Sequence, residues 1–137
     1  MNTNNLTKLV AVVSGLIVAV ILTSGVAWAQ ESQAINFETQ FPFMVGQHQY
    51  PAGRYDIVQE GSSLSILTLR PTSPGQSIIL PILTRLAEQK GTEAQIVFDK
   101  AADKYFLAEI HIPGFDGFAI QGAPGEHTHV RVSGKKK

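Results

Sequence analysis

The chain has 137 residues, enough for one domain, with eleven Lys and Arg against eleven Asp and Glu. So even a balance gives no electrostatic basis for binding nucleic acid or an anionic membrane. No cysteine is present, which excludes disulfides, thiolate zinc sites, iron–sulfur clusters, a cysteine nucleophile and a lipid-modified N-terminal cysteine.

Lys8 is the one charge before an uncharged apolar run over residues 9–22, and Ala27-Trp28-Ala29 follows with the small-x-small form of a signal peptidase site. Residues 1–29 are therefore expected to be a helical secretory signal, removed after Ala29. The alternative is an uncleaved anchor over residues 9–29, long enough to cross a bilayer and the chain's only expected membrane contact. Either way the domain lies outside the cytoplasm, in a periplasmic or extracellular setting. Cleavage would remove Lys8 and leave ten basic against eleven acidic residues.

From residue 30 the pattern is that of short strands. Ile35, Phe37 and Thr39 alternate with Asn36 and Glu38, the spacing of a half-buried strand. Phe43 and Val45 share a face, and Tyr55 and Ile57 share another across Pro51-Ala52-Gly53. Pro51 presets φ and Gly53 suits the last position of a tight turn, which predicts a hairpin between these two arms, with a bulge or bend at Gly46.

Residues 64–70 form the next expected strand, with a parity shift between Ile66 and Leu67. Residues 71–76 are a Pro/Gly loop. Residues 77–86 have strand length, but Pro81 cannot donate to a ladder, so this strand is at an edge or is broken there. Two helical turns over residues 83–90 are the alternative, on propensity.

Residues 93–99 and 104–112 read as a hairpin around Lys100-Ala101-Ala102-Asp103. Its second arm sets Phe106, Ala108, Ile110 and Ile112 against Tyr105, Leu107, Glu109 and His111. A Pro113–Gly117 turn, a short strand at Phe118-Ala119-Ile120 and a last strand over residues 126–132 complete the chain. The basic tail, residues 133–137, is expected to be disordered. The sum is an all-β domain over residues 30–132, a small antiparallel β-sandwich or barrel of seven or eight strands.

The combination Phe43-Met44-Val45-Gly46, Pro51-Ala52-Gly53-Arg54-Tyr55 and Lys104-Tyr105-Phe106-Leu107 resembles a group of small secreted bacterial proteins frequent in Acidobacteria. Their pattern is F-x-V-G, then P-A-G-x-Y-x-V, then a G-D-x-Y-F-L-type strand. Here Ala102 stands where that pattern has Gly, and the end lacks the group's Arg/Glu-rich terminus. The similarity covers residues 35–112. It implies export and an all-β domain, and it implies no activity.

The sharpest chemical candidate is Glu126-His127-Thr128-His129. On a strand His127 and His129 share a face and can converge on one zinc or copper ion, with His111 as a third ligand if its strand is a neighbour. The bland reading is a solvated face beside Arg131, with Thr128, Val130 and Val132 turned to the core. His48 reads as an exposed loop residue. Asp99 and Asp103 flank one turn and Asp116 sits in another, without the oxygen spacing of a calcium loop, and read as ordinary turn residues. Phe41, Phe43, Tyr50 and Tyr55 suit core packing better than a ligand groove, while Phe115 and Phe118 around a Gly-rich turn are candidate ligand-facing aromatics.

No serine sits in a G-x-S-x-G elbow and no loop has a phosphate-binding pattern. The expected function is that of an exported, non-catalytic domain that binds a ligand or partner or contributes to the envelope. A metal-binding module is the first alternative, and a hydrolase with a site not visible in the sequence is the second.

Overall fold

The computed structural model describes residues 33–60 and 66–137. The expected signal or anchor over residues 1–29 lies outside the described residues. Those described form eleven strands and no helix: β1 (Ala34–Thr39), β2 (Phe43–Val45), β3 (His48–Tyr50), β4 (Gly53–Gln59), β5 (Leu67–Pro71), β6 (Ile78–Ile79), β7 (Ile82–Leu86), β8 (Ala94–Ala101), β9 (Lys104–His111), β10 (Gly117–Ile120) and β11 (Thr128–Lys136). All belong to one sheet. Its main path is β3-β2-β9-β8-β11-β1-β4-β5-β6, and β10 joins β9 and carries β7. One parallel pairing, β2 with β9, makes the sheet mixed.

The domain is all-β, but the elements exceed the seven or eight that spacing predicts, and they curl as one open half-barrel rather than stack as two sheets. The chain bends at Gly46, which separates β2 from β3, and breaks at Pro81, which separates β6 from β7, at the two positions where a bend and a break are expected. The second division shapes the whole sheet. β6 pairs with β5 and β7 pairs with β10, so one stretch serves both lateral edges. Three peptide steps from Ile79 to Ile82 span at most about 11 Å, which holds the edges within about two strand spacings. Leu80 N–H still donates to Leu67 O at 2.7 Å and its side chain enters the core, whereas Pro81 has no N–H and ends the ladder. The helical alternative for residues 83–90 is overturned: pairing of Ile82–Leu86 with β10 outweighs local propensity, and residues 87–90 that follow are not helical.

The concave face holds an aromatic core. Phe37, Phe43, Tyr55 and Phe98 are each at most 2% exposed, and Phe43 meets Tyr55 and Phe98 edge-on at 5.1 and 5.2 Å, the favoured geometry for ring quadrupoles. Phe41, Tyr50 and Tyr105 pack against this cluster as partly buried rings. Burial pushes the hydroxyls of Tyr50 and Tyr55 up from the ordinary tyrosine pKa.

The Pro51–Gly53 turn is not the hairpin turn that its chemistry suggests. β3 folds back on β2 through the two-residue loop Gly46-Gln47, with Val45 opposite His48. Gly46 lies at φ +59°, as a two-residue hairpin loop requires of its first position. Pro51–Gly53 instead carries the chain away to β4, which pairs with β1 and β5. Tyr55 Oη–H donates to Pro51 O at 2.6 Å and fastens that crossing. Local turn chemistry marks where the chain bends, not which strands then pair.

The β8–β9 hairpin forms as spacing predicts, but not with one alternation along β9. Val97 pairs with Glu109 and Phe98 with Leu107, leaving Ala108 as a bulge. Tyr105 and Leu107 thereby reach the core side with Ile110 and Ile112. At the tip Ala102 sits at φ +52°, a left-handed conformation that costs an L-residue about 1 kcal/mol. Ala102→Gly is therefore expected to stabilise the domain by about 0.5–1 kcal/mol. A higher urea midpoint at unchanged slope would show this.

Residues 133–137 are not a disordered tail. β11 runs through Lys136, pairing with β8 as far as Gly134 and with β1 from Gly134 to Lys136, so the β1 ladder holds the backbone of Lys135 and Lys136 whatever their side chains. Lys137 N–H donates to Ala34 O at 2.9 Å, and its Nζ reaches Asp56 Oδ2 at 2.7 Å. Burial alone would raise the Asp56 pKa, but hydrogen bonds from Lys137 and Asn36 and the charges of Lys137 and Arg70 lower it on balance.

Candidate metal centre

β8 and β11 run antiparallel, with His129 opposite Asp99 and Val130 opposite Phe98. Phe98, Val130 and Val132 pack in the core, so alternation puts Asp99, His129 and Arg131 on the convex face. Asp99 is nonetheless only 5% exposed. The segment between β10 and β11 crosses over it: Ala123 N–H donates to Asp99 Oδ2 at 3.1 Å. Gly122 lies so close that a Cβ there would stand 2.1 Å from Oδ2 and 3.1 Å from the Ala108 Cβ. Only glycine lets the backbone approach the carboxylate this way.

The other carboxylate oxygen faces two imidazoles. Asp99 Oδ1 lies 2.9 Å from His129 Nδ1 and 3.6 Å from His127 Nε2. His127 Nδ1 is 2.7 Å from Gly125 O, and donation of Nδ1–H to that carbonyl turns the Nε2 lone pair of a neutral ring toward Asp99. A metal-ligating histidine is fixed in this manner, with its far nitrogen donating to a backbone carbonyl. Oδ1 itself is buried and meets no N–H in hydrogen-bond geometry, although His129 Nδ1 stands 2.9 Å away. Two nitrogens and a carboxylate oxygen thus lie within 4.8 Å of one another. Zinc–nitrogen and zinc–oxygen bonds of about 2.0–2.2 Å put the donors of a tetrahedral ion about 3.3–3.6 Å apart, a spacing comparable with the 2.9 and 3.6 Å between Oδ1 and the two rings.

His111 does not join them. It lies opposite Gln95 on β8, four residues and about 13 Å along the strand from Asp99. Rather than solvent-leaning it is 5% exposed. Its Nε2 is 2.8 Å from Glu109 Oε2 and 3.4 Å from Gln89 Nε2, and Gly117 packs against the other side of the ring, where a Cβ would stand 2.7 Å from Nδ1. The third donor is Asp99, which its place beside a turn disguises as a turn residue. Its alternation with Phe98 marks it as facing away from the core, but only the long-range register of β8 against β11 sets it beneath the histidines. Asp103 occupies the hairpin tip as expected, and Asp116 lies 3.9 Å from Arg85.

The other candidate positions separate in the same way. Phe118 is 1% exposed and belongs to the core, because its pairing with Ile110 and Arg85 seats β10 in the sheet. It faces no ligand. Phe115 is 36% exposed and has Lys136 Nζ 5.5 Å from its ring centroid. His48 is exposed on β3, beside an open cavity of about 270 Å³ that Tyr50, Tyr55, Pro71 and Gln76 help to line. No protein family model, no characterised protein and no solved structure shows a significant match to this chain.

Proposed function

We propose that this chain is an exported, non-catalytic β domain that binds a divalent transition-metal ion, zinc or copper, through Asp99, His127 and His129. Export rests on the apolar run over residues 9–22 and the Ala27-Trp28-Ala29 pattern, in keeping with the resemblance to small secreted proteins. The observation that carries the metal assignment is Asp99 Oδ1, buried without a donor and faced by two imidazole nitrogens. A carboxylate oxygen desolvated with no partner costs on the order of 1–3 kcal/mol or more. A cation among the three donors supplies the missing partner. Mixed nitrogen and oxygen donors suit zinc or copper, whereas an all-oxygen set would suit calcium or magnesium.

Calorimetric titration with Zn(II) and Cu(II) tests this. The His127→Ala/His129→Ala double variant is expected to lose at least 100-fold in affinity, about 2.7 kcal/mol, while His111→Ala binds as the parent does. Equal affinity of the double variant and the parent would remove the metal centre.

A further inference from the structure

We propose that the metal at Asp99, His127 and His129 takes a carboxylate-bearing ligand on its open side, with Arg131 as the second point of recognition. This rests on the metal assignment above. Three protein donors leave at least one position of a four-coordinate ion free. Asp99 forms the buried floor of the site, while the His129 side chain is 51% exposed, so the free position faces solvent over the convex surface.

Charge then selects the ligand. A divalent ion with one carboxylate and two neutral imidazoles carries a net charge of about +1. Arg131 follows His129 by two residues on the same strand face, with Cα atoms about 7 Å apart. It is exposed and has no acidic partner among the described residues. Directly opposite it on β8 is Val97, which offers no anion. The next residue across, Glu109, is engaged by His111. A cationic metal and an uncommitted guanidinium thus border one patch of surface. A carboxylate fits both: one oxygen can bind the metal while the guanidinium fork donates to the other. A neutral donor would use only the metal.

The test uses the full chain loaded with Co(II), whose visible bands report changes of coordination, in a buffer free of carboxylate. N-acetylglycine and imidazole are titrated separately. The expected result is that both perturb the bands, and that Arg131→Gln weakens N-acetylglycine about tenfold while cobalt affinity and imidazole binding stay as in the parent. Loaded protein whose bands ignore N-acetylglycine would overturn the inference and leave the metal centre standing. Equal weakening of both probes, or of neither, would remove Arg131 from recognition. Failure of cobalt to bind would remove the metal centre itself, and this inference with it.

Discussion

Gly122→Ala is expected to destabilise the domain by about 2 kcal/mol, roughly 10 °C in melting temperature, and to weaken zinc binding at least about tenfold. The added methyl would stand 2.1 Å from Asp99 Oδ2 and 3.1 Å from the Ala108 Cβ, and neither neighbour can give way cheaply. Ala108 is the bulged residue of β9, held by the flanking pairs of that strand with β8. Asp99 is buried and already receives Ala123 N–H. If the loop lifts instead, that hydrogen bond breaks and the carboxylate loses its cover. If the carboxylate turns, Oδ1 leaves the position that faces His127 and His129. Either response damages fold and site together. Gly91→Ala is the control, since its new Cβ meets nothing within 4 Å. Thermal melting and zinc calorimetry on the two variants check the difference; a Gly122→Ala protein that melts and binds zinc like Gly91→Ala would show that the loop does not rest on Asp99.

What could be read in advance was what neighbours in sequence decide. Alternation at Ile35, Phe37 and Thr39 identifies the buried face of β1, and the Ala101–Lys104 tip closes a hairpin between flanking strands. What escaped depends on partners far along the chain. Pro51 and Gly53 bend the backbone as their chemistry requires, yet pairing of β4 with β1 and β5 is a property of the whole sheet. The bulge at Ala108 reverses the faces of Tyr105 and Leu107, and nothing in the composition of β9 announces it. Lys135 and Lys136 lie in a strand because they pair with Asn36 and Ile35 of β1, about a hundred residues earlier in the chain. The candidate site divides along the same line. The two histidines at alternate positions were legible, whereas Asp99 joins them only through a register set some thirty residues away. His111 could join them only if its strand were a neighbour of β11, and β8 lies between the two; parity is legible in the sequence, strand order is not.

The largest expected loss of stability comes from the core beneath the site. Phe98 is fully buried and its ring meets Phe37, Phe41 and Phe43 at centroid distances of 6.2, 5.3 and 5.2 Å. Phe98→Ala removes those contacts and leaves a cavity that a curled sheet closes only in part, at a cost of about 3–5 kcal/mol. A large fraction of the stability of a domain this size would be gone, and the loss should exceed that of any substitution at His48, His127 or His129. Because Phe98 and Asp99 are consecutive on β8, one facing the core and the other the convex surface, the same variant also tests whether metal and fold are linked. An ion that binds only the folded state stabilises it by about 2.7 kcal/mol at one hundred times its dissociation constant. Zinc at that excess should recover most of what Phe98→Ala loses, seen as a rise in the urea midpoint. The same addition to the Phe98→Ala/His127→Ala/His129→Ala protein should recover nothing, because the ligands that couple the ion to β8 and β11 are gone. Equal recovery in both would mean that zinc acts elsewhere on the chain, and no recovery in either would separate the histidines from the stability of the sheet they stand on.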